Sequence, residues 1–304
     1  MTFSPTVQRR LFATELRQLR ERAGLDAIKV SKGLEWDAHK VYRLERTQFR
    51  RIKRREVDDL LTVYGVNCPI ERDRIHLLAE QSCARGWWEE NPYAGMWRGK
   101  LPDLEAGAVE IYTFDALCIP GLLQTPSYAQ AMFAAWAADF DGAELQCRVD
   151  ARMARQDVLA KGDAPLLHAV IDEAALTKQV GGPAVMREQI RQLVEMAHWP
   201  GISIRVIPSS AGAHASMGGS FTWLEFSEHD PIIYLETPVG SATCLEKADE
   251  VAQYMCIYDR LLPAAMPAAE SVMFLMSKVD ELTMRGVQHE SRDPVQEEFL
   301  QRAR

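Results

Sequence analysis

The chain has 304 residues, of which 47% are hydrophobic and 26% charged; such a chain buries a sizeable core and divides into two domains, which excludes a disordered or fibrous protein. Residues 1–75 hold 17 Lys and Arg against 11 Asp and Glu, net +6, and the remainder 18 against 32, net −14. A basic head on an acidic body points to a polyanion at one end only, with nucleic acid as the first partner to test.

The head reads as short helices. Leu11, Glu15, Leu16, Leu19 and Ala23 fall at helical spacing, and Gly24 supplies a left-handed stop. Asp26 caps a second helix carrying Ile28 and Val30; Asp37 is expected to cap a third, with Val41 and Leu44 inward. Leu25, Val30, Leu34, Val41 and Leu44 supply a small core. Left outward on the third helix are Ala38, His39, Lys40, Tyr42, Arg43 and Arg46, a set of donors and cations suited to a major groove. Arg50, Arg51, Lys53, Arg54 and Arg55 follow as five cations in six residues, positioned to clamp the phosphate backbone of double-stranded DNA.

The head is expected to end at residue 80. A linker over 81–103 follows, whose Trp87, Trp88 and Tyr93 can dock on the second domain before and after Pro92. The second domain is placed at 104–284. It has helical spacing over 144–160 and 186–197, β-rich runs at 167–171, 202–207, 221–226 and 232–235, and helices again over 247–261 and 270–282. Irregular alternation favours α+β over a doubly wound sheet. The fold class is a mainly α helix-turn-helix domain followed by an α+β domain with a small mixed sheet and C-terminal helices. A charged tail over 285–304 is expected to be disordered.

No apolar run approaches the roughly 18 residues of a membrane span, and residues 1–10 lack the apolar centre of a secretory signal. Six scattered cysteines form no C-x-x-C pair and no zinc spacing. The expectation is a cytoplasmic, nucleoid-associated protein with no membrane partner, no metal and no cofactor. The turn 120–126 reads as structural: Pro120 and Gly121 fix it, Leu122 and Leu123 go inward, and Thr125 with Pro126 starts a helix. Gly181, Gly182 and Pro183 lack the lysine and spacing of a phosphate-binding loop. His168, Asp172, Glu173, His214, Glu225 and Glu236 offer acid and base groups, but no nucleophile elbow, zinc-binding helix or paired carboxylates assemble in the sequence. The chain is therefore read as a binding protein and not an enzyme. In the Gly- and Ser-rich run 212–219, His214, Ser216 and Met217 are the candidate ligand or partner contacts.

Residues 16–25 and 41–46 resemble the Cro/repressor-type helix-turn-helix, the XRE family, in which Gly24 ends the first helix, Arg43 lies on the recognition helix and Glu45 closes it. Ser31 stands where that family prefers Ala, Glu35 where its turn usually has Gly, and Thr47 where Gly commonly follows the acidic residue. The body resembles the C-terminal domain of unknown function that follows this motif in many bacterial antitoxin-like regulators, through residues 108–112, 119–129, 151–156, 172–176, 180–183, 206–208 and 219–221. The resemblance implies a DNA-binding transcriptional regulator with an antitoxin-like role and a small companion protein. Palindromic half-sites suit a homodimer. The alternative is a cytoplasmic sensor whose body binds a small-molecule effector and regulates transcription through the same helix-turn-helix.

Overall fold

The computed structural model describes residues 4–84, 101–136, 141–236 and 242–290, with side chains through Met284. The linker aromatics Trp87, Trp88 and Tyr93 lie outside the described residues. Two compact units emerge, one of Met1–Ala108 with Glu225–Asp230, the other of Val109–Leu224 with Pro231–Arg304. Among the described residues no helix is long and apolar enough to cross a membrane.

The first unit holds α1 (Pro5–Arg22), α2 (Ala27–Gly33), α3 (Lys40–Glu45), α4 (Arg54–Val63), α5 (Pro69–Ser82) and α6 (Leu101–Gly107). Its core joins Phe12, Leu16 and Leu19 of α1 to Val30, Val41, Leu44, Leu60, Leu61 and Ile75. Leu25 and Leu34 pack against that core while keeping some surface. The start of α1 is closed twice, by Ser4 Oγ accepting from the Val7 amide at 3.2 Å and by the buried Asp103 carboxylate of α6 accepting from the Thr6 amide at 2.7 Å. A carboxylate there also faces the positive end of the helix dipole.

Each of the first four helices ends in the same paired closure, with a left-handed residue whose amide bonds back three residues and a following amide that bonds back five. Gly24 and Leu25 donate to Glu21 and Arg20, Glu35 and Trp36 to Lys32 and Ser31, Thr47 and Gln48 to Leu44 and Arg43, and Gly65 and Val66 to Thr62 and Leu61. The left-handed positions are Gly24 at φ 68°, Glu35 at 57°, Thr47 at 58° and Gly65 at 73°. The two family glycines missing from this sequence are thus replaced by side chains held at the positive φ that glycine would adopt without strain. Asp37 does not cap α3 directly. Its carboxylate accepts from the His39 amide at 3.1 Å and its carbonyl from Lys40, so a side-chain turn precedes the helix and His39 is the residue before its first turn.

The second unit is built on a six-stranded sheet of order β3-β2-β1-β4-β5-β6. Its strands are β1 (Glu110–Asp115), β2 (Leu166–Asp172), β3 (Ile202–Ile207), β4 (Phe221–Glu225), β5 (Ile232–Glu236) and β6 (Ala242–Leu245). The first three are parallel and the pairs β4–β5 and β5–β6 antiparallel, the mixed sheet expected of this fold class. Helices α7 (Pro126–Trp136) and α8 (Gly142–Gln156) connect β1 to β2; α9 (Glu173–Thr177) and α10 (Pro183–Met196) connect β2 to β3. After the sheet come α11 (Ala248–Leu261) and α12 (Ala268–Glu290). The backbone of α12 continues past Arg285, so the first part of the expected disordered tail is helical; residues 291–304 lie outside the described residues. Phe114, Val170, Phe221, Trp223 and Ile233 of the sheet pack against Val251, Tyr258 and Leu261 of α11. Across β2, β1 and β4 the rings of His168, Tyr112 and Trp223 stack in file, 4.6 and 4.1 Å apart.

The turn 120–126 satisfies its own polar groups. Gln189, fully buried on α10, accepts from the Thr125 amide and donates to the Leu123 carbonyl, both at 2.7 Å. Gln156 donates to the carbonyls of Gly121 and Gln124, Gln124 donates to Ile119, and the Tyr128 hydroxyl accepts from the Ile119 amide. Thr125 Oγ1 accepts from the Tyr128 amide and so caps α7. A Cβ on Gly121 would stand 2.7 Å from the Arg152 guanidinium, the far end of a flexible side chain that would have to shift. Beside the turn, Asp115 accepts from Thr113 Oγ1 at 2.8 Å. The residue keeps some surface, but its carboxyl group is enclosed. Burial pushes that carboxyl up to about 6, with Glu236 adding to the rise against the Thr113 bond and the charges of Arg155 and Arg152.

These features set two expectations. Thr47→Gly should stabilise the head by about 1 kcal/mol, because relief of a β-branched residue at positive φ exceeds the added freedom of the unfolded chain. Glu35→Gly should gain less. Gly65→Ala, with open space around its Cβ position, should lose about 1 kcal/mol through conformation alone. Calorimetric melting of the full chain checks all three. For Asp115, a folded value of about 6 above the ordinary 3.8 means that stability is highest in acid and falls as pH rises between those values. Asp115→Asn should therefore melt above the parent at pH 7.5 and level with it near pH 4; an equal difference at both pH values would sink the assignment.

Candidate nucleic-acid interface

Helix α3 has six residues, too few to be stable alone, so its position is imposed from outside. Val41 and Leu44 sit in the core at 0% and 3% exposure. Ser31 of α2, fully buried, accepts from the Val41 amide through Oγ at 3.1 Å, satisfying a donor that a helix start otherwise leaves open. At the other end Glu45 is gripped by Arg20 of α1, with Nε to Oε1 at 2.6 Å and Nη2 to Oε2 at 2.9 Å, while Nη1 donates to the Leu25 carbonyl at 2.8 Å. The Glu45 bond holds the Arg20 guanidinium above its ordinary value, against the opposing effect of burial. Beside them the Tyr64 phenol is buried, and burial raises its pKa, with the Glu45 charge adding to it.

The side chains expected on the outer face divide into three groups. His39, Tyr42, Arg43 and Arg46 are exposed, and Ala38 is half-buried. Arg46 lies 4.2 Å over the Tyr42 ring, so its guanidinium has a cation–π partner on the same face. Lys40 is drawn inward: its ammonium bonds Glu56 of α4 and sits 4.1 Å over the Trp36 ring. Burial pushes the Glu56 carboxyl up, but the bonds from Lys40 and from the Lys53 amide outweigh it and leave it below its ordinary value. Arg43 reaches back along the helix to Asp37, Nη1 to Oδ1 at 2.8 Å.

Arg50, Arg51, Lys53, Arg54 and Arg55 are all exposed. They occupy the loop into α4 and its first turn, where the helix already presents unsatisfied amides and a positive dipole end. Cations there repel that end, whereas an anion would be favoured by both. Glu56 alone offsets them, accepting from the Lys53 amide at 2.9 Å. Sequence reasoning missed Trp36 and Glu56, which orient this face, and took Asp37 only as a helix cap, without its hold on Arg43. Ser31 left a signal, a hydroxyl where the family prefers a methyl; the Lys40–Glu56 pair spans 16 positions and follows no local spacing.

In the other unit, His214 and Ser216 come together as an anchor for their loop. His214, with 3% of its side chain exposed, faces Asp172 Oδ2 through Nε2 at 3.1 Å and accepts from the Ser216 amide at Nδ1 at 3.3 Å. Its ring packs edge-on to Phe114. Ser216 Oγ donates to the Gly219 carbonyl, and Met217 is 70% exposed. Asp172 also caps α9 through the Ala174 amide, and Glu173 holds the Ser209 amide and Lys278. His168 pairs with Glu110. Most of the acid and base groups noted in the sequence are thus tied in separate structural pairs. Among the described residues no group of three or more His, Cys, Asp or Glu could hold a metal ion.

Residues 11–75 match the helix-turn-helix domain family, and residues 99–277 match a domain of unknown function, DUF5753. No curated protein and no solved structure matches the chain. The first match spans the helices from α1 into α5, so the protein is a DNA-binding helix-turn-helix regulator. The chain, more than half of it covered by that second match, belongs to the DUF5753 family.

Proposed function

We propose that the protein regulates transcription by placing α3 in the major groove of duplex DNA, with Arg43 reading a base, His39, Tyr42, Ala38 and Arg46 lining the groove, and Arg50, Arg51, Lys53, Arg54 and Arg55 holding phosphates. The observation that carries this reading is the run of exposed cations over 50–55 at the positive end of α4, an arrangement that is unfavourable without an anion. Lys40, tied to Glu56 and Trp36, acts by orienting α3 more than by direct contact. Arg43→Ala should cost roughly 1–3 kcal/mol on a specific duplex and relax sequence preference. Arg54→Ala should weaken all duplexes alike and lower the salt slope by about one. Gel-shift titrations across salt concentrations separate the two; equal losses on specific and random duplexes for Arg43→Ala would remove its base-reading role.

The acidic body acts, in this reading, as a dimerisation and partner-binding domain in an antitoxin-like regulator and performs no turnover. The net −14 of residues 76–304 favours a basic or apolar partner surface over DNA, and Met217, Met273 and Met276 offer exposed, adaptable apolar contacts. A small companion protein should co-purify with the chain, raise its mass in light scattering and change its affinity for DNA, as linkage requires. A chain that takes up no protein from its own lysate but is stabilised against heat by a metabolite would establish the small-molecule sensor instead.

A further inference from the structure

We infer that Asp37 is the residue that positions Arg43, and that the two form one guanine-reading unit at the start of α3; the inference rests on the proposed base-reading role of Arg43. The Asp37 carboxylate is fixed before any DNA arrives. Its Oδ1 accepts from the His39 amide at 3.1 Å and from Arg43 Nη1 at 2.8 Å. The side chains are 59% and 45% exposed, so water competes for the pair, yet the bond from the His39 amide keeps the carboxylate on station.

Two consequences follow from that geometry. An arginine on an exposed six-residue helix would otherwise sample many rotamers and lose that freedom on binding. Held at one Nη1, the guanidinium keeps its remaining donors, and two donors on one edge match guanine O6 and N7. The carboxylate also places a negative charge beside Arg43, which disfavours a phosphate at that spot and steers the guanidinium to a base edge. None of the other cations on this face is so held: Lys40 is spent on Glu56, and Arg46 lies over Tyr42. An acidic residue on a DNA-facing element is therefore a source of selectivity at some expense of affinity.

The test uses the full chain and a pool of randomised duplexes, from which bound sequences are enriched and each position's base preference is measured. The parent should require guanine at one position, and Arg43→Ala should lose that requirement. Asp37→Ser, which keeps an acceptor for the His39 amide, should lower the guanine preference roughly tenfold while affinity for the unselected pool holds or rises. Asp37→Asn, which keeps an oxygen toward Arg43, should retain more of the preference than the serine variant. Combining Asp37→Ser with Arg43→Ala should do no more than Arg43→Ala alone. An unchanged guanine preference in Asp37→Ser, with Arg43→Ala still losing it, would overturn the positioning role and leave the base-reading role intact. A preference that survives Arg43→Ala would overturn both, and the single arginine variant identifies that case.

Discussion

A six-residue helix cannot hold itself in place, and the head is organised around supplying α3 with the constraints it lacks. Burial of Val41 and Leu44 fixes its depth, the Ser31 hydroxyl takes its first open amide, and the two-pronged grip of Arg20 on Glu45 fixes its far end. These act from α2 and α1, so the outer face of α3 inherits the rigidity of longer elements. Arg20 makes this grip at a partly buried site where water competes less than at the surface. Its third donor on the Leu25 carbonyl ties the same guanidinium to the chain between α1 and α2. One side chain thereby sets the relation of three segments.

The same head tolerates strain where it does not need glycine's freedom to fold. Four helix ends use one closure, two with glycine and two with Glu35 and Thr47 at positive φ. The closure persists because its hydrogen bonds and the adjoining core outweigh a conformational cost on the order of 1 kcal/mol per residue. Both strained residues flank α3, one before it and one after, so the strain is confined to the edges of that helix.

The body follows a different logic. Three parallel strands need long crossovers, and the first of these begins in the turn 120–126, whose backbone would be left unsatisfied if buried without partners. Gln189, Gln156 and Gln124 answer that need from three separate positions. Side-chain amides suit the task because each carries both a donor and an acceptor and no charge. The acidic pair Asp172 and Glu173 performs a like service at the end of β2, fastening the 209–219 segment through His214 and the Ser209 amide.

What the sequence determined by itself was local. Gly24 and Asp26 marked a helix end and start because their chemistry acts within a few residues, and four of the six strands were legible as β-branched runs between turn formers. β1 was not, since Glu110, Thr113 and Asp115 break its apolar pattern although it lies inside the sheet, and β6 has only four residues. The run of cations over 50–55 was visible, and so were the departures at Ser31, Glu35 and Thr47. The tertiary structure decided which cations remain outward: Glu56 and Trp36 claim Lys40, and Asp37 claims the end of Arg43. It also turned His214 from an exposed loop residue into a buried anchor, by bringing Asp172 across 42 positions of chain. The division has one physical reason: caps, turns and periodicity act between neighbours in sequence, whereas the partner of a charge is set by which elements the fold brings side by side.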